Sequence, residues 1–336
     1  MAGKPIMTHP TYKAFTALDP LFDLVQQGLA GQVDGEHPYV SRPVRLRRTR
    51  THMKKSAAVL AIWVLWITAH AQANADWTTP LAPFRIADGL YYVGSKDLAS
   101  YLIVTPQGDI LINSSLTSSP ALIRQSMEQL GFKFGDVKIL LISHAHSDHD
   151  GGSAEIVRMT GAKYMVMDGD VPVVESGGRL DFAYSDNIYP VAKVDRVLHD
   201  GDEVRLGAAV LVAHKTAGHT RGCTTWTLKV KQGDRILDAV IVGSWNVNPG
   251  FRLVDKPAQH ASYPGIVEDY RRTFAALRRL PCDIFLGAHG SYFHMLDKLA
   301  SAGHAAESVW IDPQGYQDAV AEREMAFEAE LDKQKH

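Results

Sequence analysis

The apolar run Val137 to Ile142 breaks off into Ser143-His144-Ala145-His146-Ser147-Asp148-His149-Asp150-Gly151-Gly152. A run this short, bounded by polar residues, reads as a buried strand. The fold must therefore carry a buried strand to the edge of a sheet and present a ligand-rich loop there, before a helix predicted at Ser153–Thr160. His144 and His146, two apart in extended chain, project to one side, and Asp148 and His149 follow where the chain turns. Gly151 and Gly152 are expected to permit that bend.

The rest of the chain repeats the strand signal. Short apolar runs punctuated by turns predict strands at Leu90–Val93, Ser100–Val104, Asp109–Asn113, Lys163–Met167 and Val194–Leu198. Further strands are expected at Glu203–Leu206, Ala209–His214, Cys223–Val230, Ile236–Val242 and Asp283–Leu286. Helices are predicted at Pro120–Leu130, closed by Gly131, and at Ile266–Leu280, Leu296–Ala300 and Gln314–Lys333. Strands, helices, more strands and more helices fit two packed sheets with helices outside. No repeat or low-complexity linker divides residues 76–336, which are read as one domain.

Two later histidines stand beside glycine at predicted strand ends: His219 in Ala217-Gly218-His219-Thr220 and His289 in Gly287-Ala288-His289-Gly290. With the first loop they make five imidazoles and one carboxylate, which divide into two sets of three. His144, His146 and His219 are expected to hold one metal ion, and Asp148, His149 and His289 a second. Three protein ligands leave a position for water, the mark of a catalytic site. Imidazole-rich ligation favours zinc over magnesium or calcium. The cofactor expected is therefore a pair of Zn2+ ions.

Met53-Lys54-Lys55 opens a signal-like run: two lysines, eleven apolar or small residues from Ala57 to Ile67, then overlapping A-x-A tripeptides ending at Ala75. The apolar part is too short to span a bilayer, so a secretory signal at 53–75 is expected, with no stable membrane anchor. Residues 1–52 then form an upstream extension that need not be translated. The whole chain of 336 residues carries a formal charge of −2. Setting aside the seven basic and four acidic residues of 1–52 and the two lysines of 53–75 leaves 26 basic against 33 acidic residues, about −7. That balance excludes a polyanionic partner, nucleic acid included. The expected location is the periplasm and the expected oligomeric state a monomer. The two cysteines, Cys223 and Cys282, rule out a disulfide-stapled scaffold and leave one bridge open.

The motif His144-x-His146-x-Asp148-His149, with the later Gly-His-Thr and Gly-Ala-His-Gly segments, resembles the metallo-β-lactamase superfamily over most of residues 80–336. The resemblance implies an αββα sandwich, an α/β fold of two mixed sheets with helices on the outer faces. Many hydrolases of that family carry an aspartate bridging the metals after a late strand. Here that strand delivers Gly243-Ser244-Trp245-Asn246, with no carboxylate. Serine at that point, His149 beside the ligand aspartate, the Gly218 to Gly222 segment and Thr225-Trp226 resemble subclass B3 β-lactamases. The implied activity is hydrolysis of a small-molecule β-lactam by a zinc-bound hydroxide that Asp148 orients. Ser244, Asn246 and Asn248 are the candidate substrate-binding residues. Phe251, where the resembling loop more often has tyrosine, is not counted as catalytic. Trp77 is expected to line the mouth of the site, and Asp150 to orient a ligand imidazole. The alternative is a zinc hydrolase of the same fold acting on a lactone, thioester or phosphoester.

Overall fold

The computed structural model describes residues 75–301 and 308–336. The expected extension and the signal-like run up to Asn74 lie outside these residues. Among the described residues, no helix is long and apolar enough to cross a membrane.

Among the described residues, twelve strands form two sheets. The first has seven strands in sequence order: β1 (Phe84–Ala87), β2 (Leu90–Tyr92), β3 (Tyr101–Thr105), β4 (Gly108–Ile112), β5 (Val137–Leu141), β6 (Lys163–Met167) and β7 (Arg196–Leu198). Its first four strands are antiparallel and the last four parallel. The second sheet is ordered β12 (Ile284–Gly287), β11 (Arg235–Val242), β10 (Thr224–Gln232), β9 (Ala209–Lys215) and β8 (Glu203–Leu206). Only β11 and β12 pair in parallel there. Both sheets are mixed, and the architecture is the αββα sandwich.

One core runs between the sheets and on to helices α5 (Ile266–Leu277) and α7 (Pro313–Lys335). Phe327 of α7 packs on Tyr270 and Phe274 of α5, at ring separations of 5.0 and 5.8 Å. The other core lies behind the first sheet, under α1 (Pro120–Gln129) and α3 (Ser153–Thr160). Helix α1 enters on Pro120 and buries Ile123 and Met127; the chain then turns at Gly131, whose φ is +86°. Helix α7 is capped by Asp312, which accepts from the Gly315 N–H at 2.9 Å.

Differences from the sequence reading are local. Helix α5 stops at Leu277, three residues before its predicted end. Two short helices, α2 (Ser147–Asp150) and α4 (Val171–Glu175), carry no periodic signal. Strand β4 ends before Asn113 because that residue takes a left-handed φ of +65°. Gly151 and Gly152 serve a different purpose from the one expected. Both are right-handed, but a Cβ would meet the Thr117 nitrogen at 2.8 Å and the Ser114 oxygen at 2.6 Å. They admit a neighbouring loop; no unusual dihedral is required. Cys223 and Cys282 are both free thiols, so the possible bridge is not made.

Candidate metal centre

Where β5 ends, hydrogen bonds from both sheets hold the chain. The Ser143 N–H donates to the Asn113 side chain at 2.7 Å, and the Asn113 amide donates to the Ala99 carbonyl at 3.0 Å. From the second sheet, the Thr224 N–H donates to the Ser143 carbonyl at 2.8 Å, and the Trp226 indole to the Ile142 carbonyl at 3.2 Å. The next residue, His144, therefore leaves a fixed point. His219 follows β9 and His289 follows β12, so the second sheet brings both to the same edge.

Two groups assemble. The rings of His144, His146 and His219 form a triangle with all three centroid separations 4.7 Å, and all three side chains are buried. One ligand atom from each lies within 4.8 Å of the others, as is also true of His144, Asp148 and His149. In the second group, Asp148 Oδ2 lies 3.3 Å from His149 Nε2 and 3.5 Å from His289 Nε2, and the two ring nitrogens are 3.1 Å apart.

These residues fit a metal ion. Bonds of about 2.0–2.1 Å to zinc make the edge of a tetrahedron roughly 3.3–3.4 Å, close to the 3.1–3.5 Å spacing of the second group. Moreover, His144 Nδ1 and His149 Nδ1 are buried without a hydrogen-bond partner.

Two outer ring nitrogens are hydrogen-bonded: His289 Nδ1 pairs with Asp97 at 2.9 Å, and His219 Nδ1 with the Asn246 carbonyl at 2.9 Å. Such partners fix ring orientation and tautomer. His146 Nε2 lies 3.2 Å from Asp181 but is buried without an aligned hydrogen bond. Burial pulls the His289 pKa down, but the hydrogen bonds its ring donates to Asp148 and Asp97 outweigh that and hold it at about 9. Burial pushes Asp97 up, yet its bond to His289 holds it at about 2. Burial likewise raises Asp148, while His149 and His289 keep it well below the usual carboxylate range. His144 and His219 move the other way: burial and the neighbouring imidazoles lower both, His219 to about 3. Neutral imidazoles at His144 and His219 thus stand beside a pair of opposite charge, Asp148 and His289.

A cleft of about 410 Å³ opens onto both groups. Asn246 and Asn248 line it; Ser244 does not, being 1% exposed with its hydroxyl bonded to Tyr292 at 3.1 Å. Tyr292 lines the cleft in its place and also accepts from Asn246 Nδ2 at 3.2 Å. Tyr184 lines it as well, its hydroxyl accepting from Asn248 Nδ2 at 2.9 Å. Trp77 also lines the cleft, with its ring 5.9 Å from His289. Sequence offers no signal for Tyr184, Asp97 and Asp181, which stand in segments with no periodicity; Tyr292, three residues after His289 with its ring 5.1 Å away, could have been found from that spacing. Phe251 is buried against His219 at 5.7 Å. Asp150 does not orient an imidazole: it bonds to the Tyr164 hydroxyl, and burial pushes its carboxyl up to about 7. His294 is exposed, beside Asp297.

Residues 98–289 match the family model of the metallo-β-lactamase superfamily. The chain belongs to that superfamily. Among solved structures it is similar to the native FEZ-1 metallo-β-lactamase from Legionella gormanii, at 50% identity and a TM-score of 0.74, over 76% of this chain and 98% of that one. It is also similar to BJP-1, a subclass B3 metallo-β-lactamase of Bradyrhizobium japonicum, at 37% identity and a TM-score of 0.72, over 78% and 98% of the two chains. The class B3 di-zinc enzyme LRA-12 from an Alaskan soil metagenome matches at 38% identity and a TM-score of 0.70, over 76% and 96%. Curated relatives are more distant. A UPF0173 metal-dependent hydrolase of Cupriavidus taiwanensis is 32% identical over 129 residues, 38% of this chain and 41% of that protein. The chain thus spans about two fifths of that relative, and only about a quarter of a similar hydrolase from Pyrococcus abyssi.

Proposed function

We propose that this protein is a zinc-dependent β-lactamase of the subclass B3 kind. In this reading His144, His146 and His219 hold one zinc, and Asp148, His149 and His289 a second. The observation that carries it is the pair of adjacent three-residue groups opening on one cleft, the second spaced like the face of a zinc tetrahedron. Likeness to di-zinc class B3 structures supports it. The serine at position 244, where many lactone and thioester hydrolases of the family place a carboxylate, favours it over the alternative substrates. Export directed by Met53 to Ala75 belongs to the same proposal.

Bound at these residues, zinc would supply a Lewis acid for the lactam carbonyl and would lower the pKa of an attacking water. The chain does the positioning. Asp148, kept ionised by His149 and His289, is an acceptor that orients the water and takes up its hydrogen bond. Asp97 fixes the ring of His289, and the Asn246 carbonyl that of His219. Among the described residues, no lysine or arginine lines the cleft. A substrate carboxylate is therefore received by neutral donors, the Tyr292 hydroxyl and the amides of Asn246 and Asn248, with Ser244 acting through Tyr292.

The test is hydrolysis of a penicillin and a carbapenem by the purified chain. Turnover is expected, to be lost on chelation and restored by zinc. Turnover of a lactone with none of any β-lactam would overturn the substrate, and zinc binding without hydrolysis would overturn the enzyme.

A second expectation concerns pH. The metal-free site holds a proton on His289 below about 9, and zinc needs the neutral ring. Zinc affinity of the second group should therefore rise by about tenfold per pH unit as pH approaches 9 and then level off. Dye-competition titrations at three pH values, with proton release followed in weak buffer, check this; a flat affinity would contradict it.

A further inference from the structure

Asp170 belongs to neither group and does not line the cleft, yet it joins two of the loops that carry the imidazoles. It stands at the N-cap of α4, where an aspartate ordinarily accepts from its own helix. Here its side chain makes no capping bond. Oδ2 accepts from the Ala145 N–H at 2.9 Å and from the Thr220 hydroxyl at 2.8 Å, while Oδ1 accepts from the Gly222 N–H at 2.7 Å. Ala145 lies between His144 and His146, and Thr220 follows His219. The carboxylate is 1% exposed, so little water competes for these three bonds.

Two glycines make the approach possible. A Cβ on Gly169 would come within 2.2 Å of the Arg221 carbonyl oxygen, and one on Gly222 within 2.4 Å of the Asp170 nitrogen. Neither position has the positive φ that favours glycine. Backbone is packed on backbone, and the carboxylate sits at the seam.

Resting on the site reading above, we propose that Asp170 is a positioning residue that locks the His144–His146 loop to the His219 loop and so holds the three imidazoles as one metal-binding face. In the second group His289 has an anchor of its own in Asp97, and none of the three bonds to Asp170 comes from Asp148, His149 or His289. Loss of the Asp170 link should therefore weaken one ion and spare the other.

The experiment titrates zinc into the full chain against a chelating dye, records the cobalt-substituted spectrum, and measures the fold of the metal-free form by circular dichroism. Asp170→Asn should bind one zinc about 10- to 100-fold more weakly, with the other unchanged, and its cobalt spectrum should resemble that of His219→Ala. Thr220→Val should weaken the same ion by a smaller factor, and Thr220→Ser, which keeps the hydroxyl, should not. If Asp170→Asn fails to fold, the Thr220 pair decides. Wild-type affinity for both ions in Thr220→Val, or equal weakening of both ions, would overturn the role of Asp170. A wild-type chain that binds fewer than two zinc ions would overturn both this role and the site reading beneath it.

Discussion

Replacing Asp148 with asparagine should lower kcat/KM for a penicillin by about 10³-fold, close to 4 kcal/mol of transition-state stabilisation. Oδ2 of this residue touches both His149 and His289, so a neutral amide removes the one negative charge facing two imidazoles. In the proposed mechanism it also removes the ionised acceptor that orients the water. Outer partners of metal ligands typically account for about 10- to 100-fold, and a residue that supplies a ligand atom and a positioning charge together should exceed that. Zinc per chain, measured by elemental analysis, should fall from two to one while the far-ultraviolet circular dichroism stays unchanged. Activity within tenfold of the wild type, with two ions retained, would remove Asp148 from the mechanism.

The largest effect on stability is expected at Trp226. Its ring is 1% exposed and packs in the core between the sheets, on a strand paired with Ala213 on one side and Ile241 on the other. Trp226→Ala should cost about 3–5 kcal/mol, the range for a large aromatic removed from a core. Trp226→Phe retains most of the packing but not the indole N–H that reaches the Ile142 carbonyl, and should cost less. Urea unfolding of both variants separates packing from hydrogen bonding. A loss below about 1 kcal/mol for the alanine variant would show that the site collapses around the gap. The same indole steadies the residues just before His144, so the alanine variant should also bind the first zinc more weakly.

The architecture is legible in the sequence because the strands are short, apolar and cleanly punctuated. Val137–Ile142 differs from β5 by one residue, and Ile236–Val242 from β11 by one. The six residues that the structure brings together are legible too, because four of them are local and the other two stand beside glycine at strand ends. The walls of the cleft were less accessible. Tyr184 and Asp181 lie in a segment without strand or helix periodicity, and only the fold brings them to His146. Asp97 looks like an ordinary turn residue until His289, 192 positions away, is placed beside it. Ser244 was chosen for its polarity, but Tyr292 covers it, a packing fact that no spacing rule encodes.

The Nε2 atoms of His149 and His289 lie 3.1 Å apart although 140 positions separate them in the chain, and they come from different sheets. A contact of that span closes a long loop, whose entropic cost must be met before the contact can help. Ion capture should consequently be a late event in refolding. In stopped-flow experiments from urea with cobalt present, the backbone signal should recover first, and the visible absorption of the bound ion should trail it.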